Sequence, residues 1–177
     1  MCGVVGYVGS VNPELVKRVV EESKVRGLHN LGKFEVNGAG IYHTRYCTSG
    51  KDHQPIIQAK VGALVMNGVI HMGTKKEMEK QFRFKMQTDN DAELLFEYLK
   101  QYSFEDICGF WPHASIAALT IEGRILFAMR NEKRPLWMIE VKKSVLLAST
   151  QDILRRAGAE WKKAKLLEPN RTYSWTI

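Results

Sequence analysis

The chain has 177 residues, 45% hydrophobic and 25% charged, which is enough to bury a core and too apolar for a disordered tail. It has no run of 18 apolar residues and no basic-then-apolar leader, which argues against a membrane helix or a secreted destination and for a cytoplasmic protein. Its three cysteines, Cys2, Cys47 and Cys108, are odd in number and lack metal-type spacing, so neither a disulfide framework nor a metal centre is expected.

The chain opens on Cys2-Gly3-Val4-Val5-Gly6. With Met1 removed, Cys2 carries a nucleophile and a base on one residue, its thiol and its own α-amino group. A free α-amine titrates at about 7.7–8.0 and can take the thiol proton near neutrality. Gly3 to Val8 read as a short apolar strand that holds this terminus still. Asn12-Pro13-Glu14 starts a helix, with a capping residue, proline at the first position and an acid in the first turn. Leu15, Val16, Val19 and Val20 give it one apolar face, and Gly27 is its expected stop.

Gly38 to Tyr46 reads as a strand and Cys47 to Pro55 as a loop. Val61 to Val65 is a strand ending at Asn67-Gly68, a pair that signals a hairpin turn between two apolar runs. Thr74 caps a polar helix over Lys75 to Phe82. A second helix runs from near Asn90 to Tyr102, and Phe104 to Gly109 adds a helical turn. Strands follow at Ala114–Ile121, Arg124–Met129, Trp137–Val141 and Ser144–Ala148, then a helix over Gln151–Ala157 and a strand at Arg171–Trp175. Grouped strands and grouped helices indicate an α+β domain with stacked sheets. The net charge of +7 is spread along the chain, densest from Arg155 to Lys165, where Glu160 and Trp161 interrupt it. That pattern argues for an anionic substrate or an acidic partner protein over nucleic acid.

Amide hydrolysis by an N-terminal Cys needs oxyanion donors, a cation for a substrate carboxylate and an anion for a substrate ammonium. Asn67 offers a side-chain N–H, and Gly68 a backbone N–H that no Cβ shields. Arg45 offers a planar fork for a carboxylate. Asp91 offers a carboxylate for an ammonium, although an acid there also reads as a helix cap. Two competing readings are a metal site from His43, Cys47 and His53, and a catalytically inactive interaction module should Met1 be retained.

The ordered set Cys2-Gly3-Val4-Val5-Gly6, Arg26-Gly27, His43-Thr44-Arg45, Asn67-Gly68 and Asp91-Ala92-Glu93 resembles the class II glutamine amidotransferases, N-terminal nucleophile hydrolases with a Cys nucleophile. Met129-Arg130, Arg134-Pro135-Leu136 and Leu147-Ala148-Ser149 extend the resemblance over nearly the whole chain. It departs at Met66, where the family often has His, and at Thr150, where it usually has Asp. The resemblance implies a four-layer αββα sandwich with two mainly antiparallel sheets, forming a single glutaminase domain over residues 1–177 with no synthase domain and no cofactor. It implies Cys2 as nucleophile, Asn67 and Gly68 as oxyanion donors, Arg45 and Asp91 as partners of the glutamine α-carboxylate and α-ammonium, and Thr48 as a further glutamine contact. Arg26 takes a structural place beside the nucleophile strand. Ammonia would pass to a synthase partner in trans; a self-sufficient amidase for another small γ-glutamyl substrate is the alternative.

Overall fold

The computed structural model describes residues 1–46 and 53–177. Its elements in chain order are β1 (Gly3–Val8), α1 (Pro13–Ser23), β2 (Asn30–Val36), β3 (Ala39–Arg45), β4 (Ile56–Gln58), β5 (Gly62–Val69), α2 (Lys75–Phe82), α3 (Ala92–Tyr98), α4 (Phe104–Phe110), β6 (Ser115–Glu122), β7 (Ile125–Arg130), β8 (Trp137–Val141), β9 (Ser144–Ala148), α5 (Gln151–Arg156), β10 (Lys165–Leu166) and β11 (Arg171–Thr176). The strands form two antiparallel sheets, a first in the order β10-β8-β9-β1-β3-β2 and a second in the order β11-β7-β6-β5-β4.

Strand periodicity explains the layers. On β1, Val4 and Val8 enter the core between the sheets with Ile41, Val65 and Leu119, while Val5 faces the opposite way, onto α1 and α5. On β5, Ala63 and Val65 point between the sheets, and Leu64 and Met66 point out onto α3 and α4. Helices therefore cover both outer faces, and the fold is the expected α+β, αββα sandwich. The described residues contain no helix long and apolar enough to cross a membrane.

The helix starts follow their caps. Asn12 accepts from the Glu14 N–H ahead of Pro13, and Thr74 and Glu77 form a reciprocal capping box on α2. Two expectations need correction. The Asn67-Gly68 pair does not turn the chain; it lies inside β5 and pairs with Ala117 and Ile116 of β6. Gly68 is needed there because a Cβ would run into the Ser115 carbonyl. Gly27 does end the helical run, but in extended backbone at φ −163°, not as a left-handed cap. Its glycine lets the backbone of Thr44 and Arg45 pass alongside.

Candidate active site

The face that builds the core also builds the site. Inward positions on β3 run Ala39, Ile41, His43, Arg45, and on β5 they run Ala63, Val65, Asn67. Gly3 pairs with Thr44, so Cys2 continues the inward row of Val4 at the level of Arg45. One end of the sandwich thus gathers Cys2, His43 and Arg45 from the first sheet and Asn67 from the second. Cys2, His43 and Arg45 line a narrow cleft with Gln54, Gly68 and Asp91; Asn67, next to Gly68 in the chain, is buried and is not part of that lining. Larger concavities on the outer face of the first sheet, beside α1, hold none of these residues.

Cys2 is half-buried, and its Sγ makes a weak contact of 3.7 Å to the Tyr46 carbonyl. Arg26 Nε donates to the Cys2 carbonyl at 3.0 Å, and its Nη2 lies 3.7 Å from Met1 Sδ. Arg26 therefore holds the backbone of Cys2. Burial first, then the neighbouring Arg134 charge, lowers its pKa, though a guanidinium stays protonated at neutral pH. Cys108 is a contrast. Burial and then Glu105 push that thiol up to about 11, as for a packing cysteine.

Asn67 is 2% exposed, and its buried Nδ2 has no hydrogen-bond partner among the described residues. Such an orphaned donor costs about 1–3 kcal/mol and marks a place where an acceptor is missing. His43 Nε2 is orphaned in the same way. Burial, then the Arg45 charge, pushes His43 down to about 3, so the ring is neutral at physiological pH. Arg45 is 5% exposed, and its Nη1 lies 2.9 Å from His53 Nδ1.

Asp91 occupies the N-cap position of α3, yet its side chain does not cap the helix. Asn90 does so instead, accepting the Ala92 N–H at 3.0 Å. The Asp91 Oδ2 turns toward the end of β5 and accepts the Ile70 and His71 N–H groups at 2.6 and 3.1 Å. Burial raises its pKa, and those two bonds act against the rise. Thr48 lies outside the described residues, as does Cys47, so the metal alternative has two described members, His43 and His53. Among the described residues no three His, Cys, Asp or Glu side chains form a metal-holding group.

Residues 1–168 match the model of the glutamine amidotransferase domain. The chain belongs to that family. No curated protein matches the sequence. Among solved structures, glutamine phosphoribosylpyrophosphate amidotransferase from B. subtilis is similar over 99% of this chain and 49% of its own, with TM-score 0.72 and 18% identity. A structure described as the allosteric regulatory enzyme of purine biosynthesis is similar over 99% of this chain and 47% of its own, at the same TM-score and identity. The amidotransferase domain described here thus spans about half the length of these solved relatives. At that identity the likeness establishes a shared αββα fold and nothing beyond it.

Two cleft residues of this amidotransferase domain were not singled out from sequence as parts of the site. Gln54 sits in a stretch that reads as loop, and His43 reads as a strand residue or a metal ligand. The available signal was a polar residue at a core-facing strand position, which β3 presents at His43.

Proposed function

We propose that this domain hydrolyses the side-chain amide of glutamine to glutamate and ammonia through a γ-glutamyl thioester on Cys2, and that the ammonia passes to a separate synthase. Met1 precedes Cys2, so the reaction requires its removal. The freed α-amine then takes the thiol proton, and Sγ attacks the amide carbon. Asn67 Nδ2 and the Gly68 N–H hold the oxyanion of the tetrahedral intermediate. As that intermediate collapses, the C–N bond breaks and the α-ammonium returns its proton to the departing nitrogen. Water then attacks the thioester carbon, giving glutamate and the free thiol.

Arg45 binds the substrate α-carboxylate, Asp91 its α-ammonium, and Thr48 supplies a further contact. Arg26 keeps the Cys2 carbonyl in place while the sulfur reacts. The observation that supports this reading most is the buried Asn67 Nδ2, which has no hydrogen-bond partner among the described residues and sits on β5 directly before Gly68, a residue of the Cys2 cleft. A donor left unsatisfied in the resting site gains its partner only when the oxyanion forms, which favours the transition state over the ground state.

Free ammonia is lost to solvent and protonated at neutral pH, so delivery calls for an acceptor enzyme docked at the mouth of the cleft. The basic run from Arg155 to Lys165 is a weaker docking patch than its sequence suggests. Arg155 and Arg156 pair with Asp152, Arg156 also with Glu22, and Lys163 with Glu160.

Intact mass before and after treatment with a glutamine-analogue affinity label tests the chemistry, alongside glutamate release. The mature protein is expected to lack Met1, to gain one label and to release glutamate, and Cys2→Ala to do neither of the last two while remaining folded. Full activity in Cys2→Ala would remove the nucleophile from this assignment.

A further inference from the structure

β4 is three residues long and runs out before the site is reached. Ile56 faces Leu64, so the next position opposite Met66 on that edge of β5 falls to Gln54. Its side chain takes the place of the missing strand. Gln54 Oε1 accepts the Met66 N–H at 2.5 Å, and Gln54 Nε2 lies 3.5 Å from Asn90 Oδ1, the atom that caps α3. The residue is 6% exposed, and its carbonyl packs so closely on Gly32 of β2 that a Cβ there would collide with it. Met66 is the residue immediately before Asn67-Gly68.

We propose that Gln54 is a positioning residue for the oxyanion donors: it fixes the Met66 peptide, and with it the direction of the Asn67 side chain and the Gly68 N–H. The inference rests on the reading of those two groups as oxyanion donors. A primary amide is suited to the role because it carries the acceptor and donor of a peptide group at the end of a flexible stem. It extends the ladder by one rung without extending the strand, and it joins the end of β5 to the turn that carries Asp91. The rung matters because misplacing a catalytic group by 1 Å can cost on the order of 10²-fold in rate.

The test uses the full chain with Met1 removed and compares Gln54→Met, which keeps the length and loses the amide, with Gln54→Glu, which keeps the acceptor for Met66. Gln54→Asn, one methylene shorter, serves if Gln54→Met does not fold. The expectation for Gln54→Met is a kcat loss of roughly 10–100-fold with KM within about threefold, as for a contact expressed in the transition state. Gln54→Glu should recover most of that loss. On an Asn67→Ala background the same Gln54→Met change should cost about threefold or less, because residues acting as a unit are not additive. Hydrogen exchange at the Met66 amide should accelerate in Gln54→Met whether or not glutamine is hydrolysed. An inactive wild type with the Met66 amide protected by Gln54 would overturn the glutaminase reading and leave the rung standing as structure only. Active variants with unchanged Met66 exchange, or fully multiplicative losses with Asn67→Ala, would overturn the positioning role.

Discussion

In the middle of the inter-sheet face Val4, Ile41, Val65 and Leu119 are fully buried and ask nothing of solvent or ligand. Two residues along the same strands, the inward positions become Cys2, His43 and Asn67, and two of these three carry side-chain nitrogens without partners. The two regions share one set of strands, one register and one alternation; only the side chains change. The core therefore lends its rigidity to the polar end, which can hold unsatisfied groups that would relax on a loop. Its cost is local, and on the proposed function it is the cost a substrate would remove.

Four experiments probe this contrast, in descending order of effect. Acid should act on the polar end first. His43 has its folded pKa pushed down to about 3, below the usual 6.5, so its unfolded form binds more protons between those values. Stability is then fully present above pH 6.5 and is lost as the pH falls toward 3, by at most about 5 kcal/mol. Urea unfolding at pH 7 and pH 4 should show that loss in wild type and a smaller one in His43→Gln; equal losses would mean the ring is solvated in the folded state.

Next comes Asn67→Ala, expected to lower kcat about 10²–10³-fold, as for one oxyanion donor. Because it also removes an orphaned polar group, its melting temperature should not fall, and a substantial drop would show that the Asn67 amide is structurally engaged. Arg45→Ala should chiefly raise KM for glutamine, on the order of 10–100-fold, since a carboxylate contact persists in ground and transition states alike. A dominant kcat effect would move Arg45 out of the binding role. Smallest is Ile41→Val in the apolar middle, which should cost about 0.5–1.5 kcal/mol of stability and leave kcat within twofold. A larger rate effect would show that the core and the site are not separable.

Much of this was legible in the sequence because alternation and caps are local. Ser115–Glu122 reads as a strand from its own residues, and α2 from Thr74 and Glu77. The missed elements depend on neighbours. β2 contains Gly32, Lys33 and Glu35, half exposed in alternation, and is a strand because every residue pairs with β3. β4 and β10 are too short to show a period and exist by pairing with β5 and β8. The same limit applied to the site. Cys2, Arg45, Asn67 and Asp91 stand out by residue type, and three of them, Cys2, Arg45 and Asp91, line one cleft. Gln54 acts through the register of another strand, and Asn90 relieves Asp91 of the capping role; neither relation is written in local spacing.

The grip of Arg26 bears on how the domain matures. The guanidinium reaches past Met1 to the carbonyl of Cys2, an atom on the far side of the peptide bond that processing cuts. Excision of Met1 removes the thioether neighbour and leaves the carbonyl contact untouched. With Met1 excised as proposed, the new amine would lie at a site already anchored, and the pairing of β1 would need no shift of register. Ripening of the catalyst would then be a subtraction of one residue from a finished scaffold, with the anchor on the retained side of the cut bond.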